Sequence, residues 1–293
     1  MSANAFIDRI VAAQHARHTI TTLGVDPQLD TAQAPGIPPS YTLSRFCCEI
    51  VEACAPYVAA IKPQLAFFEA RGLDGMRAFT DVLELARKLG LVTIADAKRG
   101  DIGSTSAAYA EAFLGDGDFG CDAITVNPYL GSDAIAPFVA KAARTGRGVF
   151  VLVKTSNPSS GEFQDRDAPD RPLWETVAAR VHGWASDYIG NHDLTPIGAV
   201  VGATYPDHAR RARELMPNSL ILVPGYGAQG AGAQDSIAAL RDDGLGVIVN
   251  ASRSLMYAYQ KRPDSSPGAA AAEAASAMRD ALNEAIATAK VSA

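Results

Sequence analysis

Along most of this chain, short β-branched apolar runs alternate with stretches of helical periodicity. The runs predict strands at Ile20–Val25, Val58–Ile61, Leu91–Ala95, Ala123–Val126, Val149–Val153, Ile197–Gly202, Leu220–Val223 and Gly246–Val249. They are continuous rather than alternating, as parallel strands covered on both faces require. Each is followed by a segment long enough for a helix. Repeated β-then-α units predict an α/β fold, a TIM (β/α)8 barrel, with an open doubly wound sheet as the alternative. Residues 1–293 read as one barrel domain. A helix around Phe6–Arg17 covers its floor or edge, and the alanine-rich tail Ala269–Ala289 forms a closing helix.

Polar residues recur where these runs end. Asp26 follows the first strand, Lys62 the second, Asp96 and Lys98 the third, Asn127 the fourth, Lys154 and Ser156 the fifth, and Arg253 the eighth. The C-terminal strand ends of such barrels build the active site. Three of only seven lysines sit there, which argues against ordinary solvated charge. The segment Ser156–Pro172 is a polar loop of lid length.

The densest chemistry lies in Ile94-Ala95-Asp96-Ala97-Lys98-Arg99-Gly100-Asp101-Ile102-Gly103-Ser104-Thr105, with two charges of each sign in the six residues from Asp96 to Asp101. Strand periodicity puts Asp96 and Lys98 on one face. Burying that pair costs desolvation energy, which a catalytic site gives a reason to accept. Lys62, Asp96, Lys98 and Asp101 are expected to form an alternating network, catalytic or purely structural. Gly225, Gly227 and Gly230 in Pro224-Gly225-Tyr226-Gly227-Ala228-Gln229-Gly230 formally match a dinucleotide fingerprint, but after a seventh strand the match reads better as a barrel phosphate site. Arg253 adds a bidentate anion contact. A plain flexible turn is the competing reading of that loop. Lys154 also permits a Schiff-base role, though nothing nearby singles it out.

Composition narrows the class. With 48% hydrophobic residues the chain has ample material for a core, and its net charge of −6 disfavours nucleic acid and polyanionic membranes as partners. No run is long enough for a membrane span, and the N-terminus does not resemble a secretory signal, so a cytoplasmic enzyme is expected. Cys47, Cys48, Cys54 and Cys121 form no C-x-x-C pair and read as reduced packing residues. The five histidines read as surface or packing residues.

The motif D-x-K-x-x-D-I-x-x-T, here Asp96, Lys98, Asp101, Ile102 and Thr105, resembles the signature of the orotidine 5′-phosphate decarboxylases. Gly24-Val25-Asp26, Ile61-Lys62-Pro63-Gln64, the Gly-rich loop and Asn250-Ala251-Ser252-Arg253-Ser254 fall around it in the expected order. The resemblance runs from about Leu23 to Ser254. The Asn127-Pro128-Tyr129 turn and Lys154-Thr155-Ser156-Asn157-Pro158 resemble the bacterial type 2 subfamily. The resemblance implies a homodimer with shared sites that converts orotidine 5′-monophosphate to UMP and CO2 without metal or organic cofactor. It also implies Lys98 as proton donor to C6, Asp96 beside the departing carboxylate, and Lys62 bridging the carboxylates and ribose. Asp101 and Thr105 would enter the partner's site, with Asp26 and Thr105 on ribose hydroxyls. Ser156 would read the pyrimidine edge, and Gln229 and Arg253 would hold the phosphate. The rival readings are a Mg2+-dependent sugar-phosphate lyase or synthase of the same superfamily, a non-catalytic phosphate-ligand-binding barrel, and a nicotinamide enzyme.

Overall fold

A computed structural model describes residues 5–30, 36–227, 232–262 and 264–292. Eight parallel strands close into a barrel: β1 (Thr21–Val25), β2 (Ala60–Pro63), β3 (Val92–Arg99), β4 (Ala123–Val126), β5 (Gly148–Lys154), β6 (Thr195–Val201), β7 (Ser219–Pro224) and β8 (Val247–Ala251), with β8 pairing back onto β1. The principal helices are α1 (Ala5–Arg17), α2 (Leu43–Cys54), α3 (Gly72–Lys88), α4 (Gly103–Leu114), α5 (Ser132–Thr145), α6 (Leu173–Ala185), α7 (Pro206–Leu215) and α8 (Pro267–Ser292). After β7 the helix is only Ala233–Ser236.

The continuous apolar runs conceal a period of two. Leu23, Ile61, Ile124, Val149, Val151, Ile221 and Val249 point outward into the layer between barrel and helices. Ala60, Val92, Ile94, Ala123, Phe150, Leu220, Leu222 and Ile248 join a separate inner core. Both faces are dry, so both select apolar residues. Helix α1 plugs the floor of that inner core with Phe6, Ile7, Ile10 and Val11. Phe6 meets Phe150 edge to face, with centroids 5.9 Å apart. Gly148 is needed for this closure, since a Cβ there would lie 2.5 Å from the Phe6 ring.

The C-terminal helix lies across α2. Ala270, Ala271, Ala275, Met278 and Leu282 are buried, and Glu49 Oε1 accepts the Gly268 N–H at 3.0 Å. Small side chains let α8 approach closely. The loop after β5 is not extended: it contains short helices at Pro158–Ser160 and Gly161–Gln164 and a two-residue hairpin of Asp167–Ala168 with Arg171–Pro172. The cysteines are free, and burial pushes the Cys54 and Cys121 thiols up to about 12, as packing residues. Among the described residues no helix is long and apolar enough to cross a membrane.

Candidate active site

At the carboxyl-terminal mouth the inner face of the barrel turns from apolar to polar. β3 and β4 pair regularly to Ala95 and Ile124, then lose register, so that Arg99 faces Val126. Asp96 shares the inward parity of Val92 and Ile94, and Lys98, within the bulge, lines the same cavity. Lys98 takes a left-handed backbone with φ +48, unusual for a residue with a Cβ. Its Nζ donates to Asp96 Oδ1 at 2.5 Å, and Lys62 Nζ donates to Asp96 Oδ2 at 2.6 Å.

Two neutral donors complete the carboxylate. Gln64 Nε2 reaches Oδ2 at 3.0 Å and Thr125 Oγ1 reaches Oδ1 at 3.0 Å. Asp96 therefore accepts four hydrogen bonds, about the capacity of an ionised carboxylate. Burial would raise its pKa, but Lys62 and Lys98 outweigh burial and hold the carboxyl well below the usual carboxylate range. For Lys62, burial acts to lower the pKa, yet Asp96 and Asp26 prevail and raise it. Both groups are thus held charged in the barrel. Asp26 differs. Burial raises its pKa, with Asp96 adding to the effect and Lys62 opposing it, and its Oδ1 has no hydrogen-bond partner.

These residues form one wall of a cavity of about 490 Å³. Leu152, Val200 and Leu222 supply an apolar wall. Ser156, Gly225, Tyr226 and Arg253 form the rim. Gly225 and Gly227 have φ of +111 and +73, conformations open to glycine, so this loop bends as side chains elsewhere rarely permit. The cavity accordingly offers a cationic and anionic cluster at one end and an arginine at its mouth.

The structure brings together Asp26, Lys62, Asp96, Lys98, Ser156 and Arg253. It does not bring in Asp101 or Thr105. Asp101 Oδ1 accepts the Ile102 N–H at 2.8 Å, and Thr105 is exposed on α4. The four-membered network expected from charge spacing is therefore three-membered within this chain, because the chain turns into α4 before Asp101 can face the barrel axis. Gln229 lies outside the described residues. Asn127 is not in the cavity, and its Oδ1 accepts the Tyr129 N–H to shape the following turn. Lys154 also points elsewhere, pairing with Asp165 at 2.6 Å. Sequence reasoning missed Thr125 as a cavity residue and quoted Gln64 and Asn250 only as parts of motifs. Inward parity along β4 and β8 was the available signal. Among the described residues no group of three or more His, Cys, Asp or Glu is arranged to hold a metal ion.

Fold and site together define a TIM barrel with its candidate chemistry at the carboxyl-terminal mouth. Residues 29–265 match the model of the Orotidine 5′-phosphate decarboxylase / HUMPS family, and the chain belongs to that family. It is 42% identical over 285 residues to the orotidine 5′-phosphate decarboxylase of Deinococcus radiodurans, covering 96% of this chain and 98% of that protein. The Rhodopirellula baltica enzyme of the same name is 41% identical over 272 residues, covering 87% and 89%. Among solved structures, Leishmania donovani OMP decarboxylase superposes with a TM-score of 0.75 at 33% identity, covering 98% of this chain and 99% of that one.

Proposed function

We propose that this chain decarboxylates orotidine 5′-monophosphate to UMP and CO2, the last step of de novo UMP synthesis. The observation that carries this reading is the ion-paired series Lys62–Asp96–Lys98 at one end of a cavity whose mouth holds Arg253. The bond from C6 to the carboxylate carbon breaks, CO2 departs, and the electron pair stays on C6. No π-system delocalises that pair, so the stabilisation is electrostatic. Lys98 supplies the nearby cation and then passes its Nζ proton to C6. Asp96 lies beside the departing carboxylate and fixes both ammonium groups. Lys62 and Asp26 orient the ribose, Ser156 reads the pyrimidine edge, and Gln229 and Arg253 hold the phosphate. Phosphate binding, remote from C6, drives closure of the loops after β5 and β7.

The active form is a homodimer in the cytoplasm, with Asp101 and Thr105 entering the partner's site. This is supported by their position outside their own cavity and by the exposure of Ile102 and Tyr129 on the same rim. The net charge of −6 fits a small-molecule substrate rather than nucleic acid.

The test is loss of orotate absorbance when purified protein meets orotidine 5′-monophosphate in EDTA. Conversion to UMP is expected. Inactivity in EDTA, with sugar-phosphate turnover on adding Mg2+, would overturn the assignment in favour of the metal-dependent branch. Arg253→Ala is expected to lose about 2 kcal/mol of binding to the phosphorylated substrate, near 30-fold in KM, with little change toward orotidine. Equal losses on both substrates would contradict the phosphate role.

A further inference from the structure

Thr125 is the sole polar side chain of β4, in the run Ala-Ile-Thr-Val, and it is fully buried on the inner face of the barrel. Its hydroxyl makes two hydrogen bonds with opposite polarity. The Lys98 backbone N–H donates to Oγ1 at 3.0 Å, and Oγ1 donates to Asp96 Oδ1 at 3.0 Å. The polarity follows from the partners: an amide N–H only donates, and the ionised carboxylate only accepts. The bulge between Ala95 and Arg99 interrupts the β3–β4 ladder where Lys98 sits, and Thr125 Oγ1 takes up the N–H there. The same residue carries the left-handed backbone, which nothing in a lysine side chain favours.

We propose that Thr125 is a positioning residue, which locks the left-handed backbone of Lys98 to the carboxylate of Asp96 through one hydroxyl and so fixes where the Lys98 ammonium points. The inference rests on the decarboxylase reading for its kinetic consequence, but its structural content does not. A second donor to Oδ1 also leaves Asp96 anchored whenever the Lys98 ammonium gives up its proton. The carboxylate then keeps its orientation through a catalytic cycle.

The experiment compares Thr125→Val, Thr125→Ser and Thr125→Ala in the full-length protein. Valine keeps the branched shape and removes the oxygen. Serine and alanine both lose the methyl group and differ by the oxygen alone, so that pair decides the matter if the valine variant does not fold. Loss of the oxygen is expected to lower kcat about 10- to 100-fold, as a misplaced reacting group does, with KM and UMP affinity nearly unchanged. Serine is expected to stay close to wild type. In parallel, hydrogen exchange at the Lys98 amide is expected to speed up in the alanine and valine variants and not in serine. Serine falling as far as alanine would mean that Thr125 acts by packing and would overturn the proposal, as would unchanged kcat in valine. If the wild type does not turn over orotidine 5′-monophosphate, the functional reading fails. The amide exchange then still decides whether Thr125 holds Lys98.

Discussion

Two lysines lie buried at strand ends of this barrel, each with a carboxylate 2.6 Å away, and they differ in what surrounds the pair. Lys62 at the end of β2 meets Asp96, whose side chain is itself only 9% exposed, and Asp96 is shared with a second ammonium and two neutral donors. Lys154 at the end of β5 meets Asp165, which is 45% exposed in the following loop, with the Tyr205 ring 5.9 Å from the ammonium. Gln164 ties the same loop to Thr155 through hydrogen bonds at 2.7 and 2.9 Å. A buried lysine and its carboxylate therefore do not mark a reacting centre by themselves. At β2 and β3 the charges alternate, face a cavity and are all held. At β5 a single pair fastens a loop to the barrel.

The largest contrast is expected at the carboxylates. Asp96→Ala leaves Lys62 buried without its main partner and should cost about 3–5 kcal/mol of stability. Turnover should be abolished. The corresponding change Asp165→Ala also leaves a buried ammonium, but its lost partner lies in a half-exposed loop that can admit water, so the cost should be smaller, about 1–3 kcal/mol. Chemical denaturation of the two variants checks the difference, and similar midpoints would contradict it.

A smaller effect is expected at the loop pair. Lys154→Met replaces the ammonium with an apolar chain of similar length, and the half-exposed Asp165 keeps its water. Stability should move by about 1 kcal/mol or less, with kcat for orotidine 5′-monophosphate falling less than about tenfold. Complete inactivity would give Lys154 a chemical role that its position outside the cavity contradicts.

The smallest effect is read in acid. The Asp96 pKa is depressed in the folded protein, so its contribution is fully present above its usual 3.8 and fades as pH falls below that value. Melting temperatures of wild type and Asp96→Ala should therefore approach each other as pH drops below 3.8. Asp26 has the opposite sign. Its raised pKa means that ionisation costs stability as pH rises past 3.8, so Asp26→Asn should melt higher than wild type at neutral pH. A gap between wild type and Asp96→Ala that widens in acid would contradict the assignment of charge.

Much of this was legible in the apolar pattern. All eight strands lie where β-branched runs predict them, because both faces of a closed barrel are dry. Where strands run past their predicted ends, one physical reason accounts for it. Apolar runs stop where the interior turns polar, yet hydrogen-bonded strand continues. The third strand therefore reads as ending at Ala95 while β3 runs to Arg99, and the eighth as ending at Val249 while β8 runs to Ala251. Charge spacing brought Asp96, Lys98 and Lys62 together correctly. It could not foresee the bulge that reverses the backbone at Lys98, or the turn into α4 that carries Asp101 away from the axis. Thr125 escaped notice because threonine is an ordinary strand former, and only its inward parity separates it from structural residues.

The proposed reaction draws its proton from Lys98, and not from either buried lysine pair as such. The most direct measurement is Lys98→Ala assayed for UMP binding by calorimetry and for turnover of orotidine 5′-monophosphate. The expected result is a folded protein that still binds UMP and has lost at least about 10⁴-fold in kcat, the upper range for a general acid. Turnover near that of the wild type would contradict it.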